Sequence, residues 1–215
     1  MTQKEKYNKE IIVKRIKKLA KELKRRPIKR DSGTLYQLTR RYFGTWNNAM
    51  KEAGFKVKEP QTIRLPQELD SDFSYFIGLL ITDGHLVFNR KTSDYKVAIY
   101  TSYNEEKQLI YKLVKKIFDY KPHIYGRMSG FNKKTNYEIY INSKKFVERL
   151  YKKFALPTGA KSNIVRVPNI FLNTNKENIF NFIRGVIDGD GSISKRNLVR
   201  INSGSRKFLL DLKNL

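Results

Sequence analysis

Two short segments hold the residue types and spacing that could do chemistry. Phe76-Ile77-Gly78-Leu79-Leu80-Ile81-Thr82-Asp83-Gly84 and Ile183-Arg184-Gly185-Val186-Ile187-Asp188-Gly189-Asp190-Gly191 share one pattern: a glycine, an aspartate five residues later, and a glycine directly after it. Each reads as the C-terminal end of an apolar helix. An aspartate is poorly placed there, because the helix dipole favours cations at that end. A mid-helix glycine lets another backbone approach closely, and Gly78 and Gly185 are the candidate interface residues. Two such helices side by side would bring Asp83 and Asp190 together. Neighbouring carboxylates repel and raise each other's pKa unless a divalent cation lies between them. Oxygen ligands completed by water and phosphate suit Mg²⁺, with Mn²⁺ as the substitute. In a strongly basic protein, that points to phosphodiester hydrolysis. A single Asp-Gly is an ordinary helix-terminating turn; two copies at equivalent places in a repeated order of elements reverse that reading.

The composition agrees. The 215 residues carry 45 Lys+Arg against 20 Asp+Glu, a net charge of +25, spread along the chain rather than gathered in a tail. Such a charge on a chain with 40% hydrophobic and 13% aromatic residues calls for a polyanion bound by a folded protein, and nucleic acid is the default. With no cysteine, disulfides and thiol chemistry are excluded, and with only His85 and His123 a histidine-rich zinc site nearly so. No apolar run approaches the roughly 20 residues that span a bilayer, and the start lacks a signal-peptide core. The expectation is a nucleoid-associated cytoplasmic or organellar-matrix protein, not secreted and with no membrane partner.

The elements that must position the aspartates follow from periodicity. Residues 1–58 read as a small helical module: Ile12, Ile16, Leu19 and Leu23 form one stripe, ended by Arg26-Pro27; Leu35, Leu38 and Tyr42 mark a second helix broken at Gly44; Trp46, Ala49, Met50 and Ala53 mark a third closed by Gly54. With its basic exterior this is either a helix-turn-helix variant or a plain three-helix cap with a solvated face. Residues 59–71, with Pro60 and Pro66, read as an extended linker. Residues 72–158 read as helix-strand-strand-helix-strand-strand-helix. That includes a helix capped at Asn104 with Leu109, Leu113 and Ile117 sharing a face, and one capped by Ser143. In residues 159–215 a capping box at Thr174 and Glu177 opens a helix ending near Asp188. Strands at 192–194 and 197–203 and a helix from Arg206 follow. The fold class expected is α+β, an αββαββα unit with a pseudo-repeat whose second copy is incomplete, plus the helical module.

At the two motifs the sequence resembles the LAGLIDADG homing endonucleases, in the single-chain form with two motif copies. The resemblance implies that the motif helices pack at a pseudo-two-fold axis and that each half lays a sheet in the DNA major groove. It also implies that Asp83 and Asp190 bind the catalytic metals, with Gly84 and Gly191 beside them. A lysine before the second motif, in a Gly-x-Lys followed by a proline, reaches the active site in many members; here Gly159-Ala160-Lys161 precedes Val167-Pro168, which makes Lys161 a candidate catalytic residue. A Gln or Asn near the end of the second strand is frequent, and Ser102, Asn104, Asn202 and Ser203 stand nearest. The N-terminal segment resembles the helical repeat found beside some homing nucleases, through Arg26-Pro27, Phe43-Gly44-Thr45-Trp46-Asn47-Asn48-Ala49 and Ala53-Gly54. Three departures stand out: Ile81 replaces the acidic residue kept as Asp188, Thr82 is bulkier than Gly189, and the second copy stops before the third and fourth strands that the resemblance implies.

Base-contact candidates are Lys96, Tyr100, Glu138, Tyr140, Asn142, Arg200 and Asn202, the polar faces of their strands, with Lys96 and Tyr100 taken as first-half equivalents of Arg200 and Asn202; the plain alternative is solvated strand polarity. Arg127, Lys133, Lys134, Lys195 and Arg196 are candidates for DNA contact, Lys133 and Lys134 for its phosphates. The function implied is a Mg²⁺-dependent, site-specific double-strand DNA endonuclease with a long target site. It would be monomeric if its second half is complete and otherwise in need of a partner. The alternatives are an intron RNA maturase, a decayed nuclease, or a DNA-binding regulator.

Overall fold

The computed structural model describes residues 7–57, 61–128, 134–196 and 198–215, which fall into two compact units, Met1–Pro60 and Gln61–Leu215. In the first, α1 (Lys9–Leu23), α2 (Gly33–Phe43) and α3 (Trp46–Glu52) enclose Ile12, Ile16, Leu35, Trp46, Ala49, Met50 and Ala53. Asn8, Ser32 and Thr45 cap the three helices, each side chain accepting a backbone N–H three residues on. The first helix stops before Arg26-Pro27, because Lys24 turns into the left-handed region and its N–H bonds Lys21 O. Between α1 and α2, the Asp31 carboxylate takes both terminal nitrogens of Arg25 at 2.8 Å and the Ile28 N–H at 2.7 Å, which sets the angle of the turn.

The second unit runs α4 (Ser71–Thr82), β1 (Gly84–Asn89), β2 (Asp94–Thr101), α5 (Asn104–Phe118), β3 (His123–Met128), β4 (Thr135–Asn142) and α6 (Lys144–Lys153). After a 3-10 turn at Asn169–Asn173 come α7 (Lys176–Asp190), β5 (Gly191–Ile193), β6 (Val199–Ile201) and α8 (Arg206–Lys213). The first four strands form an antiparallel sheet ordered β1-β2-β4-β3, and β5 pairs with β6. Val97, Ile99, Ile139 and Ile141 turn one face of the larger sheet into the core, where Phe73, Phe76, Phe118 and Phe146 pack ring against ring. Helix α4 runs through this core and is buried without a break from Phe73 to Ile81, as a helix apolar on all sides must be.

Three local expectations are corrected. In α5 the fully buried residues are Ile110, Val114 and Phe118, with Leu113 and Ile117 packed on the core beside them; Leu109, expected on the same face, is half exposed. Asn104 is not the cap of α5: Tyr103 holds that place, and Asn104 Oδ1 instead accepts from Lys107. At the start of α7, Asn175 rather than Thr174 caps, its side chain accepting the Asn178 N–H. Glu177, not closing a box, accepts the Ser71 hydroxyl at 2.6 Å, so the first turns of α7 and α4 are joined. The segment read as a linker is extended but not loose. Ile63, Leu65 and Leu69 pack on the core, and the Arg64 N–H bonds Phe118 O.

Candidate active site

The site begins where α4 and α7 touch. A Cβ added to Gly78 would stand 2.3 Å from Phe182 O, and one added to Gly185 2.2 Å from Tyr75 O. Backbone meets backbone at these two positions, and no side chain fits. One turn further on, a Cβ on Gly189 would meet the Thr82 hydroxyl at 2.0 Å, so the bulk of Thr82 is accommodated because its partner is glycine. The Ile81 departure also has a physical cause. The Tyr75 phenol, buried and raised in pKa by burial and then by Asp188, donates to Asp188 Oδ2 at 2.7 Å. The position equivalent to Tyr75 in the second motif is Phe182, which has no hydroxyl to satisfy, and the equivalent of Asp188 is Ile81. One polar pair is kept where its donor exists.

The helices end with the aspartates held alike. Asp83 closes α4 through its N–H to Leu79 O (3.0 Å), and its carbonyl accepts the Tyr100 N–H (3.1 Å). Asp190 is the last residue of α7, and its carbonyl accepts the Asn202 N–H (3.4 Å). Gly84 and Gly191 start β1 and β5, where a Cβ would press within 2.3 Å of Leu80 O and Ile187 O respectively. Each aspartate faces a cleft beside the other helix's last turn. The Asp83 cleft, about 410 Å³, is lined by Tyr100, Ser102, Glu106, Asn136 and Gly189; the Asp190 cleft, about 450 Å³, by Thr82, Lys161, Asn202 and Ser203. Asp83 Oδ2 lies only 2.8 Å from where a Gly189 Cβ would be.

The charges are strained by this placement. Burial, then Asp190 and Glu106, push the Asp83 carboxyl up to about 6, against the pull of Lys161. Burial also raises Asp190, with Lys161 opposing. Lys161 is driven down to about 8 by burial, with both aspartates working the other way. Its ammonium donates to Leu80 O at 2.8 Å and Ile81 O at 2.5 Å, so it serves the last carbonyls of α4, where a cation is favoured. Two raised carboxylates and oxygen-only donors fit a hard divalent cation whose remaining positions go to water and phosphate. Among the described residues no group of three or more His, Cys, Asp or Glu could hold a metal by itself.

The uncovered face of the larger sheet leads away from Asp83. Register places Lys96, Ala98 and Tyr100 of β2 opposite Asn142, Tyr140 and Glu138 of β4, with His123, Tyr125 and Arg127 beyond on β3. Of the expected DNA-contact residues, Lys96, Tyr100, Tyr140, Asn142 and Arg127 therefore share one face. Lys134 is exposed beside β4, Lys195 and Arg196 are exposed between β5 and β6, and Arg200 and Asn202 are exposed at β6. Lys133 lies outside the described residues. The expected equivalence of Lys96 with Arg200 is corrected by register: Gly84 pairs with Ile99 and Gly191 with Ile201, so Asn202 matches Tyr100, but Arg200 matches Ala98. Register also places His123 and Tyr125 on this face, which the sequence could not show because it depends on the β4 partner, and Glu106, two residues into α5, lines the Asp83 cleft. Ser102 lines the Asp83 cleft and Asn202 and Ser203 the other, whereas Asn104 lines neither.

Two acidic helix ends thus stand side by side at the edge of a sheet whose open face is polar. Comparison with known proteins narrows the class. Residues 7–56 match the family described as homing endonuclease associated repeat, and residues 177–215 the LAGLIDADG-like domain. The chain is 32% identical over 151 residues to the replication factor C small subunit of Methanocaldococcus jannaschii, covering 67% of this chain and 8% of that protein. It is 26% identical over 144 residues to the DNA-directed RNA polymerase subunit Rpo1C of the same organism, covering 66% and 15%. The chain thus spans a small part of the length of these relatives. Among solved structures, a variant of the homing endonuclease I-DmoI in complex with its target DNA and manganese superposes with a TM-score of 0.50 at 20% identity, covering 67% of this chain and 72% of that one. Two segments of the chain thus match homing-endonuclease family models, and the second unit shares its fold with a homing endonuclease.

Proposed function

We propose that this protein is a site-specific double-strand DNA endonuclease that hydrolyses phosphodiesters at Asp83 and Asp190, with a long duplex target as its partner. The observation that carries the reading is the pair of aspartates, held by the same backbone tie in both halves, each in a cleft at the foot of a backbone-to-backbone helix crossing. Two copies give one carboxylate for each strand of a duplex. The relatives' names describe unrelated host activities, as expected of a segment that moves between genes, and the related I-DmoI was solved with its target DNA and manganese.

Asp83 and Asp190, with the Gly84 and Gly191 backbone beside them, would hold Mg²⁺ or Mn²⁺, which when bound supplies a Lewis acid for the phosphate and a water of lowered pKa. The chain's own residues do the rest. The glycine crossing fixes the separation of the two carboxylates. Lys161, half-buried, faces the Asp190 cleft, where its ammonium would offset negative charge gathering on phosphate. Tyr100, Ser102 and Asn136 border the Asp83 cleft, and Asn202 and Ser203 the other. Such a protein works where DNA is, in a nucleoid or an organellar matrix; no helix among the described residues is long and apolar enough to cross a membrane.

The test is incubation with a duplex spanning the uninterrupted insertion site, in Mg²⁺ and in EDTA, with folded intron RNA as competitor. Double-strand cutting confined to Mg²⁺ is expected. Tight duplex binding without cutting would replace this reading with a DNA-binding regulator, and preference for the RNA with a maturase.

A further inference from the structure

One contact on the open sheet face is not what a phosphate-binding surface would contain. Lys96 and Glu138 are on neighbouring strands but are not register partners: Lys96 stands opposite Asn142 and Glu138 opposite Tyr100. The pair between them is Ala98 and Tyr140. With only a methyl group at Ala98, the Lys96 stem has room to lie along the sheet. Its Nζ stands 5.6 Å from the Tyr140 ring centroid and 2.6 Å from Glu138 Oε1. The Tyr100 hydroxyl donates to the same oxygen at 3.2 Å. The side chains of Lys96 and Glu138 are 26% and 17% exposed. A lysine meant for phosphate is best left upright and unpaired, and a carboxylate repels phosphate. In a chain of net charge +25, a carboxylate at the centre of a substrate-facing sheet calls for a partner that donates.

We infer that Lys96 and Glu138 together read one G·C base pair in the major groove, a reading that rests on the duplex-DNA function above. The ammonium donates to guanine O6 and N7, and the carboxylate accepts from the cytosine N4 amine. A G·C pair presents these acceptors and this donor side by side, which matches an adjacent donor and acceptor on the protein. An A·T pair in the same orientation keeps only the N7 acceptor for the ammonium: its N6 amine replaces O6 as a donor facing a donor, and thymine O4 faces the carboxylate as acceptor against acceptor. The position of the pair follows from Tyr100, which borders the Asp83 cleft and also bonds Glu138. A duplex with one phosphate at Asp83 therefore continues over Lys96 and Glu138. That path is open, because the helices cover the opposite face through Val97, Ile99, Ile139 and Ile141.

The experiment measures binding of the full chain in Ca²⁺ to the target duplex and to a series in which each base pair is replaced in turn. It is run for the parent, Glu138→Gln and Lys96→Met, with melting curves to show that each variant is folded. At one G·C position near the first-half cleavage point, the parent should lose about tenfold in affinity on replacement by A·T. In both variants that discrimination should shrink below about threefold, with the other positions unchanged. Affinity that changes equally for every duplex, or a profile that does not change at all, would overturn the inference. So would loss of discrimination centred on an A·T position. A parent that binds no duplex would overturn the DNA reading itself, a different failure from a specific parent whose profile ignores Glu138.

Discussion

Replacing Asp83 by asparagine should make the metal-free protein more stable at pH 8. The carboxyl is raised from 3.8 to about 6, by burial first and then by Asp190 and Glu106. A raised value means that the folded chain holds the proton more tightly than the unfolded chain, so the ionised form is disfavoured in the fold. The cost is absent below the unfolded value, grows as pH rises from about 4 to about 6, and is complete above that. A shift of about two units corresponds to about 3 kcal/mol if fully felt. Asp83 is only half-buried, and solvent screening reduces this to about 1–1.5 kcal/mol. Asparagine keeps the shape and removes the charge, so the gain should appear as a melting point about 2–5 °C higher in EDTA at pH 8 and vanish at pH 4. Added Mg²⁺ at pH 8 should then raise the parent's melting point more than the variant's, because a ligand bound to the folded state stabilises it by mass action. A variant less stable than the parent at pH 8 in EDTA would refute the reasoning, since Asp83 would then be a stabilising carboxylate rather than a strained one.

Three further outcomes follow from the helix crossing and its lysine. Gly185→Ala places a methyl 2.2 Å from Tyr75 O; overpacking of about 1–3 kcal/mol or more should exceed the ~1 kcal/mol of helix propensity gained, lowering the urea midpoint, and an unchanged midpoint would contradict the contact. Tyr75→Phe should cost about 1 kcal/mol in the parent and almost nothing after Asp188→Leu, a double-mutant cycle that isolates their 2.7 Å bond. Lys161→Met, checked for folding, should lower the cleavage rate about 100-fold while duplex affinity in Ca²⁺ changes little; an unaltered rate would reduce Lys161 to a cap on the α4 carbonyls.

The repeated motif made the site legible, because glycine and aspartate at fixed spacing have few physical uses at a helix end. Strand and helix positions in the first half were readable for the same kind of reason: Ser143 really does cap α6, accepting the Phe146 N–H, and the alternation from Tyr95 to Tyr100 is a strand. What periodicity could not show is tertiary. Which residues of α5 are fully buried was set by the core they meet, and the cap of α7 by Asn178, whose amide is occupied with Leu69 O and Thr174. Glu138 could be read as one polar strand residue among several, but its pairing with Lys96 and Tyr100 depends on register. The Ile81 departure became intelligible only when Tyr75 was found on Asp188. Local chemistry is written in the sequence; partners across elements have to be seen.

The central claim is that Asp83 and Asp190 hold the metal that cuts DNA. It is tested most directly by the Mg²⁺-dependent cleavage of one target duplex by the parent, by Asp83→Asn, by Asp190→Asn and by the double variant, each shown to be folded and to bind the duplex in Ca²⁺. The account predicts cutting by the parent alone among proteins that all bind. Undiminished double-strand cutting by the folded double variant would contradict it.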